Sequence, residues 1–199
     1  MELKDSRTKE NLLRAFAGES QARNRYDFAA EVAKKEGLFI IQDLFKYTAN
    51  QEKAHGEVYY GALKQFNGEN INITAAYPIG DYPDTLGLLK SAQHNEREEW
   101  NQVYSEFAEI ARNEGFVPIG TIFDNVASIE KLHDDRFTKY IEEMENGTLF
   151  KKGTSVQWMC TNCGYVYEGQ EAPQLCPVCS YPQGYYMLFE DTQFETRKE

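Results

Sequence analysis

Apolar residues recur every three or four positions over most of the first 145 residues, which is the spacing of one face of an α-helix. Gly37 and Gly115 interrupt this pattern where a helix would end, and Pro118 suits the first turn of the next helix. The pattern therefore predicts four helices of about 30 residues, over residues 4–36, 38–66, 84–114 and 118–145.

The connections between these helices differ in length. Short turns join the first helix to the second and the third to the fourth, so each pair is expected to form an antiparallel hairpin. Residues 68–83 include Pro78 and Pro83 and show no helical pattern, which indicates a long connection between the hairpins. Four helices with one long crossover are typical of the ferritin-like topology, and we predict an all-α four-helix bundle of this kind.

Each predicted helix carries acidic residues on the face that should be apolar. Glu19, for example, lies at helical spacing from Leu12 and Tyr26. Charged carboxylates without partners are too costly to bury, so a group of them requires cations. The spacing Glu-x-x-His occurs twice, and each pair can direct two metal-binding groups to one side of a helix. The candidate ligands are Glu19, Glu52, His55, Glu96, Glu99, Glu130 and His133.

The candidate ligands lie at matching heights along the predicted hairpins. Glu19 and Glu52 lie at similar distances on either side of Gly37, and the glutamates of the second hairpin are placed in the same way around Gly115. One Glu-x-x-His pair could arise by chance in an acidic helix, but two at matched heights favour a metal site. The oxygen-rich set with two imidazoles suits iron or manganese and matches the layout of di-iron carboxylate bundles.

The composition is that of a water-soluble globular protein. The chain has 199 residues and a net charge of -11, which argues against nucleic acid or an anionic membrane as a partner. No apolar run approaches the roughly 20 residues of a membrane span, and the first residues show no signal-peptide pattern. We therefore expect a cytoplasmic location.

Four cysteines form a second candidate metal site. Cys160 and Cys163 make one Cys-x-x-Cys pair, Cys176 and Cys179 make another, and 12 residues separate the pairs. In a reducing compartment, this spacing predicts a tetrahedral thiolate site for zinc or a single iron rather than disulfides. The surrounding Cys-Gly-Tyr and Cys-Pro-Val-Cys sequences look like the two knuckles of rubredoxin, which favours iron.

The two candidate sites indicate two domains. We predict a di-iron bundle over residues 1–147, a linker over residues 148–156, and a small metal-bound rubredoxin-like β domain with a tail over residues 157–199. About 35 residues cannot build a sufficient core, so the metal is expected to hold the small domain together. The charged tail, residues 193–199, is expected to be frayed.

Together these motifs closely resemble those of the rubrerythrin family, over residues 1 to about 192. The resemblance implies two iron ions in the bundle and one iron ion in the four-cysteine site. Glu52 and Glu130 would bridge the two bundle irons, and Glu19 would be a terminal ligand of the first. Glu96 and His133 would be terminal ligands of the second.

The resemblance also assigns four residues to the reaction. Glu99 and His55 would alternate on the first iron, the glutamate in the oxidised state and the histidine in the reduced state. Tyr26 and Tyr104 match family tyrosines near the site. The extra carboxylate in Glu-x-x-Glu distinguishes the family from many other bundles of this class.

The implied activity is that of a peroxidase in oxidative-stress defence. Hydrogen peroxide would be reduced to water at the di-iron site. The rubredoxin-like iron–thiolate site would return electrons from an external NAD(P)H-dependent rubredoxin reductase or a similar donor. The family is usually homodimeric, with the rubredoxin-like domain of one chain close to the di-iron site of another. Because the bundle is about 45 Å long, a small domain attached at one end favours such a dimer.

Two other function classes stay open at the level of sequence. The first is a ferroxidase or iron-handling protein, as in ferritins, although ferroxidation does not require the electron input that the cysteine site suggests. The second is a non-enzymatic bundle with a structural zinc ribbon, against which the aromatic knuckles argue. The sequence does not distinguish reduction of peroxide from reduction of dioxygen.

Overall fold

Antiparallel helices form a bundle, as the hydrophobic pattern predicts. The computed structural model describes residues 1–192, so the predicted frayed tail, residues 193–199, lies outside the described residues. The helices are α1 (Arg7–Lys35), α2 (Phe39–Ala62), α3 (Thr85–Glu98), α4 (Tyr104–Asn113) and α5 (Val117–Glu145). α1 packs along α2, and α5 packs along both α3 and α4, which gives the two predicted hairpins.

The residues at the helix ends explain the tight turns. Gly37 and Gly115 have φ angles of 76° and 92°, in the left-handed region that glycine adopts without a steric penalty. Ser6 caps α1, because its side chain accepts a hydrogen bond from the backbone N–H of Lys9. The helix ends predicted from glycine positions are therefore confirmed.

The N-terminus of α1 receives a second cap from the end of α4. One carboxylate oxygen of Glu114 accepts the backbone N–H of Arg7 at 2.9 Å. The other accepts the backbone N–H of Thr8 at 2.9 Å and its hydroxyl at 2.6 Å. Burial raises the pKa of Glu114, but these hydrogen bonds outweigh it and lower the pKa below its usual value. This anion at a helix N-terminus ties one hairpin to the other.

The third predicted helix is interrupted at Glu99. A π-helical turn, Glu99–Val103, separates α3 from α4, and the backbone N–H of Tyr104 donates to the carbonyl of Glu99 five residues earlier. The hydroxyl of Ser105 donates to the carbonyl of Trp100 at 3.1 Å. The expectation of an unbroken helix over residues 84–114 is wrong here, because the apolar periodicity does not reveal the single extra residue of a π-helical turn.

The long connection runs across the bundle without regular secondary structure after a short 3-10 turn, Lys64–Phe66. Two hydrogen bonds hold it on α1. Arg14 Nε donates to the carbonyl of Thr74 at 3.0 Å, and the hydroxyl of Tyr77 donates to the carbonyl of Arg14 at 2.7 Å. These bonds place the loop beside the π-helical turn, where its residues line a shared cavity.

Two apolar clusters lie on either side of the predicted ligand positions. One includes Phe45 and Phe137, and the other includes Tyr59 and Phe123. The ligands of α2 and α5 fall between these cluster residues in sequence, so the polar centre lies at about mid-height, as the register predicts. Across residues 1–192, no helix is both long and apolar enough to cross a membrane.

The C-terminal region forms a three-stranded antiparallel sheet. Its strands are β1 (Lys151–Cys160), β2 (Val166–Glu171) and β3 (Tyr186–Leu188), in the order β2-β1-β3. The predicted fold class, a four-helix bundle with one long crossover and a small C-terminal β domain, is confirmed. β1 begins inside the segment predicted as a linker, and the domain boundaries stay a prediction.

The small sheet domain rests on the end of the bundle where α2 begins. The rings of Phe39 and Tyr185 stack with their centroids 4.0 Å apart. A Cβ added to Gly184 would lie 1.8 Å from the carbonyl oxygen of Gly37, so the two backbones meet at a point where only glycine fits. An ion pair between Lys139 and Asp191 adds a polar contact.

Candidate metal centres

The bundle centre brings six of the seven predicted ligands into two adjoining groups of four. The ligand atoms within each group all lie within 4.8 Å of one another. Two glutamates belong to both groups, so two carboxylates lie between two potential metal positions. Every one of the six side chains is buried. The first group is Glu19, Glu52, His55 and Glu130, and the second is Glu52, Glu96, Glu130 and His133.

Many of these ligand atoms converge without forming hydrogen bonds. Nδ1 of His133 lies 2.8 Å from Glu130 and 3.1 Å from Glu52, yet it has no hydrogen-bond partner in the described part of the chain. Unpaired carboxylate oxygens also lie within the two groups. Buried polar atoms are normally paired, so this convergence fits metal cations. The unpaired oxygens belong to Glu19, Glu52, Glu96 and Glu130.

The chemistry of the donors fits a di-iron centre. The four glutamates and two histidines of these groups supply hard oxygen and borderline nitrogen ligands, which suit iron. A carboxylate–histidine group and a group of four cysteines are thus both present, as the predicted cofactors require.

Burial and crowding shift the proton equilibria of the ligands. Burial raises the pKa of Glu19 to about 8 and that of Glu96 to about 7, although a nearby histidine opposes each shift. Burial alone would lower the pKa of His133, but neighbouring carboxylates outweigh it and raise the pKa to about 12. The pKa of His55 is raised for the same reason. Protons thus compensate the buried charge, and bound cations would displace them.

Two tyrosines brace the ligands across the hairpins. The hydroxyl of Tyr26, on α1, donates to Glu96 on α3. The hydroxyl of Tyr104, on α4, donates to Glu19 on α1 at 2.5 Å. Burial raises the pKa of both tyrosines well above the usual value, so both stay protonated donors. Each hairpin thus fixes a carboxylate of the other.

Glu99 is the predicted ligand that lies outside both groups of four. His55 lies in the first group, while Glu99 is half-buried and lines a cavity beside the loop of Tyr77. Within residues 1–192, its carboxylate has no hydrogen bond or ion pair to another side chain. Burial raises the pKa of Glu99 well above the usual value, and the neighbouring carboxylates add to that shift.

Gln51 is a supporting residue that the sequence analysis did not identify. The ring Nε2 of His133 lies 3.0 Å from Oε1 of Gln51. Because that amide oxygen can only accept, Nε2 carries a proton, and Nδ1 is the ring nitrogen that faces the carboxylates and would be available to a metal ion. Gln51 immediately precedes Glu52, but nothing in the helical pattern marks it as a partner for a residue on α5.

Asp134 is a second supporting residue found only in the structure. It is 2% exposed and accepts hydrogen bonds from Arg97 Nε, Arg97 Nη2 and Trp100 Nε1, each at 3.0 Å. Burial raises the pKa of Asp134, but these donors outweigh it and lower the pKa. The network fixes the π-helical turn to α5. The sequence Asp134-Asp135 gives no sign of which carboxylate points inwards.

The four cysteines form the second centre. The sulfur atoms of Cys160 and Cys179 lie 3.8 Å apart, and those of Cys163 and Cys176 lie 3.6 Å apart. A tetrahedral thiolate site with metal–sulfur bonds of about 2.3 Å has sulfur–sulfur edges of about 3.8 Å, so the spacing fits one metal ion. Cys163 is exposed, which leaves one edge of the centre open to solvent.

Fold and sites together define a di-iron carboxylate protein with a rubredoxin-like domain. The sequence model of the Rubrerythrin family matches residues 10–141 and 87–156. The model described as the rubredoxin-like domain of rubrerythrin matches residues 158–187. The chain belongs to the rubrerythrin family, which indicates an iron-dependent oxidoreductase.

Similar proteins cover almost the whole chain. A rubrerythrin of Clostridium perfringens is 43% identical over 191 residues, which is 96% of this chain and 98% of that protein. A rubrerythrin of Nitratidesulfovibrio vulgaris is 41% identical, over 94% of this chain and 96% of that protein. Among solved structures, the fully reduced state of nigerythrin has a TM-score of 0.62 and 26% identity, with 93% of this chain and 90% of that chain covered.

Proposed function

We propose that the protein reduces hydrogen peroxide to water at the bundle centre, with electrons delivered through the four-cysteine site. The observation that carries this proposal is the presence in one chain of two buried groups that share Glu52 and Glu130, together with a group of four cysteines. Reduction of one peroxide consumes two electrons and two protons and yields two water molecules. When bound, the bundle irons supply those two electrons and act as Lewis acids.

The ligand groups suggest how the ions are held. The two shared glutamates would bridge the ions, as their place in both groups supports. Glu19 and His55 would complete the first ion's ligands, and Glu96 and His133 those of the second. The hydrogen bonds from Tyr26 and Tyr104 would keep the terminal carboxylates oriented while the charge at the centre changes.

Glu99 and His55 are proposed to exchange at the first ion. A neutral imidazole suits ferrous iron, and a carboxylate suits the more positive ferric iron. In the structure His55 lies within the ligand group and Glu99 lies beside it in a cavity, which is consistent with an exchange between these two side chains. Because the pKa of Glu99 is raised, its carboxyl can hold a proton while it lies outside the ligand group.

Electron delivery is proposed to occur between the subunits of a homodimer. The small domain contacts its own bundle at Phe39, and Glu52 lies 13 positions further along α2, a rise of about 20 Å. A second chain could place its own four-cysteine site closer to the bundle ligands. An NAD(P)H-dependent rubredoxin reductase or a similar donor would act at the exposed edge of Cys163. A four-cysteine metal site needs reduced thiols, which fits a reducing compartment such as the cytoplasm.

The competing functions make different use of the four-cysteine site. A ferroxidase would oxidise iron without electrons from this site, and a zinc ribbon would hold a metal that cannot change its oxidation state. Metal analysis, followed by reduction with dithionite, separates these cases. One iron per four-cysteine site with a reducible visible band supports the proposal, and zinc in that site would contradict it.

Replacing Cys160 tests the path of the electrons. We expect Cys160→Ala to abolish peroxide turnover with NADH and a rubredoxin reductase, because the thiolate-bound iron is lost. A single oxidation of the pre-reduced bundle should remain. The exposed Ser155→Ala variant in β1 is the matched control and should behave as the unaltered protein. Survival of reductase-driven turnover in Cys160→Ala would remove the four-cysteine site from the path.

A further inference from the structure

The core of the small domain contains a hydroxyl group without a partner. Tyr186 is the first residue of β3 and pairs with Cys160 of β1 in the antiparallel sheet. Its side chain is 0% exposed, and within residues 1–192 its hydroxyl forms no hydrogen bond. Buried hydroxyl groups are normally paired, because leaving one without a partner is costly. The fold therefore places a free hydrogen-bond donor inside the domain that carries the four cysteines.

The buried neighbours of Tyr186 leave cysteine sulfurs as the acceptors for this hydroxyl. Tyr186 packs in one buried cluster with Trp158, Cys160, Cys176 and an alanine. The indole of Trp158 can only donate, and its N–H already donates to the carbonyl of Gly169 at 3.0 Å. Of the buried side chains in this cluster, only those of the two cysteines can therefore accept a hydrogen bond from Tyr186.

The charge state of the sulfur decides whether it can accept this bond. A thiol is a weak acceptor, whereas a metal-bound cysteine has lost its proton and is charged. Loss of hydration raises the pKa of the Cys176 thiol, but the Tyr186 hydroxyl and nearby backbone N–H groups favour the thiolate and lower the pKa to about 6. Burial raises the pKa of Tyr186, and Cys176 raises it further, so the phenol keeps its proton. Metal binding at Cys176 thus supplies the acceptor that the hydroxyl lacks.

We propose that Tyr186 donates a hydrogen bond to the Cys176 thiolate of the iron-loaded site and thereby raises the reduction potential of that site. Reduction adds one electron, and with it one negative charge, to the iron and its four sulfurs, while the proton stays on the phenol. The hydrogen bond stabilises the reduced centre more than the oxidised one, because the reduced sulfurs carry more negative charge. The inference rests on the electron delivery proposed above and adds the residue that makes the site easier to reduce.

Spectroelectrochemical titration of the iron-loaded protein tests the effect on the potential. Tyr186→Phe keeps the ring in the core and removes only the hydroxyl. The equilibrium constant for one-electron reduction should fall about fivefold, the value of one hydrogen bond, which is about 40 mV at about 59 mV per tenfold change. Tyr167→Phe is the matched control, because Tyr167 belongs to the same sheet but its hydroxyl lies beside Gly169. This control should keep the potential of the unaltered protein.

A second measurement detects the hydrogen bond itself and needs no substitution. In protein loaded with a spin-active isotope of cadmium, the hydroxyl proton of Tyr186, assigned through its ring protons, should show scalar coupling to the metal through the Cys176 sulfur. Absence of this coupling, an unchanged potential in Tyr186→Phe, or an equal fall in Tyr167→Phe would overturn the inference and leave the peroxidase proposal standing. A four-cysteine site that holds no reducible iron would overturn both.

Discussion

Glu99 and His55 show how much of the proposed chemistry depends on single side chains. Both come from helices that the sequence predicts, and both face the bundle centre. His55 lies among converging carboxylates, whereas Glu99 lies beside a cavity with no side-chain partner in residues 1–192. A carboxylate that is close to a ligand group but not held there can move into it at little cost in broken contacts.

Replacing Glu99 tests that idea. We expect Glu99→Ala to fold normally and keep iron in the second group, because within residues 1–192 its carboxylate forms no hydrogen bond or ion pair with another side chain. Oxidation of the reduced protein by peroxide should slow by about 100-fold, the usual contribution of a group that holds or transfers a proton. Stopped-flow absorbance and iron analysis provide the measurement. Glu106→Ala, an exposed glutamate on α4, is the control, and equal rates in both variants would contradict the role of Glu99.

At the scale of elements, the helices could be predicted because their apolar stripes and glycine stops are local signals. The π-helical turn could not be predicted from periodicity, although the spacing between a glutamate and a tyrosine in each hairpin reflects it. Glu19 and Tyr26 lie seven residues apart in the first hairpin, whereas Glu96 and Tyr104 lie eight apart in the second. The extra residue is accommodated by the turn that begins at Glu99. The difference in spacing can be interpreted as one inserted residue only when the two hairpins are compared and the contacts of both tyrosines are known.

Supporting residues were missed for a related reason. Gln51 and Asp134 hold parts of the site through contacts between helices, and their partners are distant in sequence. Helical spacing identifies which residues share a face of one helix. It does not identify which polar residue on a neighbouring helix completes a hydrogen bond. The ligands themselves were found because metal sites need several groups of the same chemistry at one height.

The cap from Glu114 to α1 predicts a pH-dependent stability. Because the pKa of Glu114 is lowered in the folded protein, its stabilisation is present above its unfolded pKa of about 4.3 and is lost as pH falls through the folded value. We expect Glu114→Gln to reduce the free energy of unfolding by about 1 kcal/mol at pH 7 and by less at pH 3. Denaturant unfolding at both pH values provides the measurement, with Glu109→Gln as the exposed control. A loss that does not depend on pH would contradict the charged cap.

At the scale of the whole molecule, the small domain is held against the bundle at a few specific points. The closest is the approach of Gly184 to Gly37, where an added Cβ would lie 1.8 Å from a carbonyl oxygen. The Phe39–Tyr185 ring stack lies beside this contact. The sequence predicts the two domains and their metals. It does not predict this contact, because a glycine that is needed for contact with another domain cannot be distinguished in sequence from other loop glycines.

Gly184→Ala should separate the two domains without disrupting either centre. The backbones would have to part by about 1.5 Å to admit the new methyl group, which breaks the ring stack. We expect a larger radius of gyration by small-angle scattering and faster proteolysis after residue 147, with an unchanged visible band of the thiolate-bound iron. Gly153→Ala, where an added Cβ meets nothing within 4 Å, is the control. An unchanged radius in Gly184→Ala would show that the contact does not hold the domains together.

The central claim is that the bundle site reacts with peroxide and that the four-cysteine site is connected to it. The most direct measurement is anaerobic stopped-flow mixing of fully reduced, iron-loaded protein with hydrogen peroxide and, separately, with dioxygen. The visible band of the ferric thiolate site reports the arrival of oxidising equivalents. We predict that peroxide restores this band much faster than dioxygen does. No band with either oxidant, or a faster return with dioxygen, would contradict the account.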